Sequence, residues 1–388
     1  MATVWGGFRR LARWRTIGVA VLLLLAAVLV WTTLTAHGRI TAKSLLFLPN
    51  LIPDFPVRPI NWVTRTPDRI AVTFSDGIET WSGDLYVPAT SPPHPGIIVA
   101  LGVTPAGRQD KRVERLGDGL ARMGVVTLIP YSQSLIEKRV TPRDIDFLVE
   151  AYRFLAARPE VDPGRVGYLG VCVGSSLSLL AAQDPRIAGR VSFVNWFGGY
   201  YRLDELIASV VSRSYQRDGE VVAWTPDKLT EEVVQLRLID LVDEPRERDL
   251  LHRDAIEGQP LTPEETAGLS STASVVRRLL RAESLDQARA LIAQLPPEAR
   301  QLLDTLSPAT NLGRSRVRIF LMDDTSDRLI PYVHTRELAA DLDGRYERHS
   351  RFSIFSHVNL DRLANPVRTV PELWSLFLHV RQIFQTIR

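Results

Sequence analysis

Residues Gly170-Val171-Cys172-Val173-Gly174 set a cysteine between two glycines, each two positions away. A turn that passes directly from a strand into a helix is strained and packs tightly, so it needs small residues two before and two after the side chain it presents. In such a turn the Cys172 thiolate is placed to attack an acyl carbonyl. The N–H of Val173, at the start of the following helix, can then point at the oxyanion that develops. Cys172 is the only cysteine of 388 residues, so no internal disulfide can form. A lone cysteine is more often an inert buried hydrophobe than a nucleophile, and glycine flanks many strand ends. The pentapeptide therefore takes its meaning from the elements around it.

Those elements come in the right order. Arg165–Val171 reads as an apolar strand, and a helix begins near Gly174. Upstream, Gly96–Leu101 and Val125–Ile129 are continuous apolar runs with a helical segment, Asp110–Met123, between them, and a further helix is predicted over Pro142–Arg158. Continuous runs separated by helices indicate parallel strands covered on both faces. Ahead of them, Arg69–Ser75 and Glu79–Val87 alternate about Asp76-Gly77, which predicts an antiparallel hairpin. Strands are also expected at Arg190–Phe197, Arg316–Met322 and Arg345–Phe352, with a closing amphipathic helix over Val370–Gln385. The stretch between the first two of these is too long for a crossover. Its helical periodicity, at Thr230–Val242, Ala273–Glu283 and Leu285–Leu295, predicts a helical lid over the C-terminal edge of the sheet.

The run Val161-Asp162-Pro163-Gly164-Arg165-Val166-Gly167-Tyr168-Leu169-Gly170-Val171-Cys172 resembles the strand-to-elbow segment of α/β-hydrolases, in particular the dienelactone-hydrolase-like group with its cysteine nucleophile. The resemblance covers about residues 69–202 and 307–388. It implies an α/β-hydrolase fold, a mostly parallel sheet with helices on both faces, and a nucleophile–acid–histidine triad. In that group the acid follows the next-to-last strand in a D-x-x-V-P setting, which Asp327-Arg328-Leu329-Ile330-Pro331 matches, so Asp327 is the expected acid. Asp323 and Asp324 are nearby alternatives, and either could instead cap the following turn. The base must follow the acid. Of the histidines that do, His357 fits best, just beyond the last strand; His349 should lie within that strand, and His334 and His379 belong to helices. Asp327 would hold the tautomer of His357, which takes the thiol proton. The second oxyanion donor is expected from the loop after Gly96–Leu101, at the N–H of Val103. There the sequence departs from the family, since Leu101-Gly102 stands where His-Gly is common; the donor is a backbone group, so its chemistry survives.

Domain organisation follows: a tail and anchor over 1–40, a connector over 41–68, a hydrolase core over 69–202 and 307–388, and the lid over 203–306. Positions 16–36 carry no charge, and about 20 apolar residues suffice to cross a bilayer as a helix. With Trp14 and Trp31 near the ends and four arginines before it, this run predicts an N-terminal transmembrane helix. The cytoplasmic side would hold the N-terminus, and the catalytic domain would lie outside the cell membrane. Five of the 47 basic residues fall in 1–40, which leaves 42 against 44 acidic ones in the body. No basic stripe is left to hold nucleic acid. No phosphate loop, metal-ligand cluster or cofactor fingerprint stands out, and the triad requires none.

The expected activity is hydrolysis of a small-molecule ester or lactone through an acyl-cysteine intermediate. Acyl transfer of the polyester-synthase type and a catalytically inactive binding module are the alternatives. An aromatic group, Phe193, Trp196, Phe197, Tyr200 and Tyr201, could line an acyl pocket or simply fill the core. A low-pKa thiol is prone to oxidation, so the lid is expected to shield Cys172.

Overall fold

The computed structural model describes residues 22–23, 26–28, 30–52, 55–314, 316–355 and 366–388. Among the described residues ten strands occur: β1 (Asp68–Ser75), β2 (Thr80–Val87), β3 (His94–Ala100), β4 (Val126–Tyr131), β5 (Val161–Val171), β6 (Phe193–Phe197), β7 (Ser214–Arg217), β8 (Glu220–Ala223), β9 (Arg318–Asp324) and β10 (Arg348–Phe352). Eight of them form one sheet in the order β1-β2-β4-β3-β5-β6-β9-β10. β1 with β2 and β2 with β4 are antiparallel, and every later pairing is parallel. The hairpin forms where Asp76-Gly77 predicts it: Ser75 pairs with Thr80, Gly77 has φ 89°, and Asp76 Oδ1 accepts the N–H groups of Ile78 and Glu79. Those bonds, and then Arg143, hold the Asp76 carboxyl down to about 2.

The parallel strands are apolar on both faces because helices cover both. Side chains alternate across a strand, so Ile98 and Ala100 of β3 face one core while Ile97 and Val99 face the other. The first core is closed by the helices Arg143–Ala156 and Val173–Gln183. The second is closed by α1 (Ala36–Leu51), α2 (Lys111–Met123) and the C-terminal helix Pro366–Thr386. With the helices of more than one turn numbered along the chain, Arg143–Ala156 is α3 and Val173–Gln183 is α4.

Between β6 and β9 the chain forms α5 (Leu203–Ser212), the ribbon β7–β8, and six more helices, α6 (Lys228–Ile239), α7 (Pro245–Ala255), α8 (Pro263–Ala267), α9 (Ser271–Leu279), α10 (Leu285–Ile292) and α11 (Pro297–Thr305). Asp227, Thr262, Ser270 and Ser284 cap four of them with side-chain oxygens. Val234, Leu238, Val276, Leu279 and Leu291 merge with the first core. The insertion is also tied to the loop after β9: Trp224 Nε1 donates to Asp327 O (3.0 Å), Asp227 N to Arg328 O (2.7 Å) and Thr230 Oγ1 to Leu329 O (3.0 Å). After β9 come α12 (Val333–Leu342), β10 and α13 (Pro366–Thr386).

The expected single-pass membrane helix is corrected. Of the run 16–36, residues 16–21, 24–25 and 29 lie outside the described residues. Among the described residues no helix is long and apolar enough to cross a membrane, so the membrane-anchored, extracytoplasmic placement loses its basis. Thr35, in extended backbone (φ −98°, ψ 145°), separates the helical residues 30–34 from α1, which it caps, so the two do not join into one long helix. At 1.5 Å per residue the 16 residues of α1 reach only about 24 Å, short of a hydrocarbon core of about 30 Å. α1 also carries Arg39 and Lys43, and its buried face packs on protein. Phe47 meets Phe384 of α13 edge-on at 6.4 Å, and Thr41 Oγ1 accepts from Arg381 Nε.

Candidate active site

β5 ends at Val171 and α4 begins at Val173, so Cys172 alone makes the turn between them. Its backbone sits at φ 57°, ψ −136°, outside the regions open to ordinary residues, at a cost of about 1–3 kcal/mol. Two hydrogen bonds hold it there: Cys172 N donates to Phe197 O (2.8 Å) and Ser175 N to Cys172 O (2.9 Å). Ser175 Oγ locks the same corner by accepting from Phe197 N and contacting Phe197 O, each at 3.0 Å.

The flanking glycines are sterically obligatory. A Cβ on Gly170 would stand 2.5 Å from Ser175 Cα, and one on Gly174 2.1 Å from Ala100 O. The strand-to-helix turn is thus pressed against its own helix and against the end of β3. Gly102 completes the constriction, since a Cβ there would meet Cys172 Cβ at 2.8 Å and Sγ at 3.1 Å. The loop that carries Val103 therefore runs directly over the thiol. Gly102 sets this approach, and Thr104 Oγ1 steadies the loop by donating to Gly102 O (2.8 Å). Val173 N is among the helix-terminal donors left without an intrahelical partner.

The sheet order, antiparallel only in the pairings of β2 at one edge, with a strand–Cys172–helix turn after the central β5, makes the fold α/β-hydrolase-like. Similar solved structures include a 2,6-dihydroxy-pseudo-oxynicotine hydrolase, 14% identical at a TM-score of 0.46, with 80% of this chain covering 67% of that one. Another is the acylaminoacyl peptidase of Pyrococcus horikoshii, 14% identical at 0.47, with 83% of this chain covering 41%. A third is a puromycin-hydrolyzing peptidase of Mycobacterium tuberculosis, 13% identical at 0.49, with 85% of this chain covering 41%. This chain spans about two fifths of the length of either peptidase. No family model matches the sequence, and no curated protein matches it.

Cys172 is 9% exposed and lies on the wall of a cavity of about 550 Å³, within the range that encloses small molecules. Val103 and Leu329 share that wall. Asp327, two residues before Leu329, is buried, and its Oδ1 accepts the N–H groups of Leu329 (2.7 Å) and Ile330 (3.2 Å). The expected base, His357, lies outside the described residues.

The alternatives to Asp327 are committed elsewhere. Asp323 accepts from Arg351 Nε (3.1 Å) and pairs with His349 Nε2 (2.5 Å), a contact that keeps both on β9 and β10. Asp324 Oδ1 accepts from Ser326 N and Oγ, and its Oδ2 from Phe355 N, so it shapes the turn and secures the end of β10; burial raises its pKa. Among the later histidines, His379 does face the cavity, but both ring nitrogens are used. Ser350 Oγ accepts from Arg348 Nε (3.1 Å), leaving its hydroxyl to donate to His379 Nδ1 (2.9 Å), while His379 Nε2 donates to Asn195 Oδ1 (2.8 Å). Burial brings its pKa down to about 3, which keeps it neutral. His334 is fully buried in α12.

Of the five aromatic residues after β5, only Phe197 is on the cavity wall. Phe193 packs on Phe320, Trp196 Nε1 donates to Thr335 Oγ1, and Tyr201 Oη donates to Asp341 Oδ2. Tyr200 Oη is buried without a partner, and burial, then Asp144, raise its pKa, with Cys172 acting in the same sense. Asn50, on α1, was not among the expected site residues. It lines the cavity, is 7% exposed, and both amide atoms are buried without a hydrogen-bond partner.

Proposed function

We propose that the protein hydrolyses a carboxylic ester or lactone through an acyl-cysteine intermediate, with Cys172 as nucleophile, His357 as base and Asp327 as the group that orients it. The observation that carries this reading is Cys172 itself. A cysteine is held at positive φ between a strand and a helix, against a loop position, Gly102, that leaves no room for a Cβ, and on the wall of a cavity. Strain of this kind persists only where the surroundings over-determine it, and it clusters at sites of chemistry.

In the proposed reaction His357 removes the Cys172 proton and the thiolate attacks the carbonyl carbon. The N–H groups of Val103 and Val173 stabilise the resulting oxyanion. The C–O bond then breaks, and the alcohol leaves with the proton from the imidazolium. Water, deprotonated by the same imidazole, cleaves the thioester and restores the thiol. The substrate is a small acyl compound, and no cofactor enters any step. The core and insertion act as one unit here, because the chain 224–230 is bonded to the loop that bears Asp327.

The test is turnover of p-nitrophenyl acetate. Cys172→Ala is expected to lower kcat by roughly a thousandfold or more, and Asp327→Ala to lower it by a smaller factor. Iodoacetamide at neutral pH should alkylate wild-type Cys172 quickly and the His357→Ala protein slowly. Undiminished turnover in Cys172→Ala would end this reading.

A further inference from the structure

The cavity that reaches Cys172 runs well beyond the space a short acyl group needs. It starts at the C-terminal edge of the sheet, at Gly102, Val103 and Cys172, and continues beneath α1, α2 and α13 as far as Ile97. Ile97 pairs with Gly167, five residues before Cys172 on β5. At about 3.3 Å per residue the cavity is therefore about 16 Å deep. Its walls are mostly hydrocarbon, with Leu101, Leu116, Leu120, Phe197, Leu376 and Phe384 among them, while Thr104, Asp110, Arg112, Arg115 and Asp227 add polar groups from the loop after β3, the first turns of α2 and the insertion. His379 and Asn195 also face it, but they satisfy each other.

Asn50 is the exception. It sits against Gly119, where an added Cβ would come 2.9 Å from Asn50 Nδ2. Gly119 is eight residues along α2 from Lys111, which puts Asn50 about 12 Å below the mouth at 1.5 Å per residue. A buried carboxamide with neither donor nor acceptor satisfied is costly, and native structures hold few of them. Asn50 lines the cavity, and a turn of its side chain toward that space would bring the carboxamide to an occupant able both to donate and to accept.

We propose that this cavity binds the acyl half of the substrate, an aliphatic chain of medium length that lies tail-first along the sheet and carries a hydroxyl near its far end, bonded to Asn50. The proposal rests on the ester-hydrolase reading above and names the substrate class for that same site. The scissile carbonyl lies at Cys172, and the alcohol half remains at the mouth.

The experiment compares p-nitrophenyl acetate, decanoate and 10-hydroxydecanoate. In the wild type, kcat/KM is expected to rise from acetate to decanoate, by up to roughly fourfold per buried methylene, and to rise again for the hydroxylated chain by about five- to tenfold. Asn50→Leu replaces an unpaired polar group by an apolar one of similar size, so it should fold, and it should erase the hydroxyl preference while leaving the chain-length preference. Leu116→Trp fills the cavity midway and should lower the decanoate-to-acetate ratio at least tenfold. No preference for decanoate in the wild type, or an undiminished hydroxyl preference in Asn50→Leu, would overturn the proposal.

Failure of the catalytic reading looks different: no ester would show Cys172-dependent turnover. In that event decanoate and 10-hydroxydecanoate are titrated against a bound fluorescent fatty acid in the Cys172→Ala protein. Displacement that is tighter for the hydroxylated acid and weakened by Leu116→Trp supports the binding site by itself. No displacement by either acid refutes it.

Discussion

Adding one methyl group at Gly174 puts the elbow under direct test. The new Cβ would stand 2.1 Å from Ala100 O, 2.6 Å from Ala100 C and 2.6 Å from Leu101 O. All three are backbone atoms at the end of a central strand, so no flexible side chain can swing aside. To restore an ordinary contact of 3.4 Å, the start of α4 must retreat from β3 by about 1.3 Å. Overpacking of this kind costs about 1–3 kcal/mol. The displaced segment also carries Cys172 and the Val173 N–H, and a misplacement of about 1 Å can cost a hundredfold in rate. Gly174→Ala should therefore lower the urea midpoint and depress kcat/KM for p-nitrophenyl acetate by about two orders of magnitude. Gly313→Ala is the control, because nothing lies within 4 Å of its added Cβ, and it should stay within about 0.5 kcal/mol of wild type. A Gly174→Ala protein as stable and as active as wild type would refute the packing argument for the elbow.

Two further outcomes concern buried groups away from the thiol. His334 has no partner at either ring nitrogen, and burial lowers its pKa to about 4, with Asp204 raising and Arg202 lowering it further. The unfolded chain then takes up this proton first as pH falls. Stability is thus full above about 6.5 and is lost progressively toward pH 4, by on the order of 3 kcal/mol. His334→Leu should flatten the plot of urea midpoint against pH in that window, although His379 keeps a slope of the same sign; an unchanged slope would refute the assignment. Asp324→Ala should cost roughly 1–3 kcal/mol in urea denaturation, because the buried N–H of Phe355 and that of Ser326 lose their acceptor. Full stability in that variant would mean the turn after β9 re-pairs without the carboxylate.

Local signals in the sequence that agree with the tertiary structure were readable. Asp76-Gly77 between alternating strands gives the first hairpin, and the apolar runs give the parallel strands, because helices cover both faces and leave no polar side to alternate. The same reasoning overlooked β7–β8, although Asp218-Gly219 turns it with φ of 52° and 88°. Its strands are four residues long and lie in a segment whose helical periodicity dominated the pattern. The run 16–36 is apolar in composition, yet among the described residues no helix is long and apolar enough to cross a membrane, because hydropathy counts residues and does not register where a helix ends. At the site, Gly170, Cys172 and Gly174 were legible because the turn constrains residue type locally. Asn50 was not, since it belongs to a helix far from the elbow in sequence, and only packing against Gly119 brings it to the cavity.

Helices far apart in sequence, α1 and α13, meet over that cavity. α1 supplies Phe47, Asn50 and Leu51, and α13 supplies Leu376, Val380 and Phe384. An expression fragment trimmed to begin at the first strand, as an apolar N-terminal run tempts one to design, would remove half of this roof. The turn at Cys172 would be untouched, yet the ring of Phe384 that packs on Phe47 would face solvent. Such a fragment would be prone to aggregate and would report the substrate range of a different, open protein.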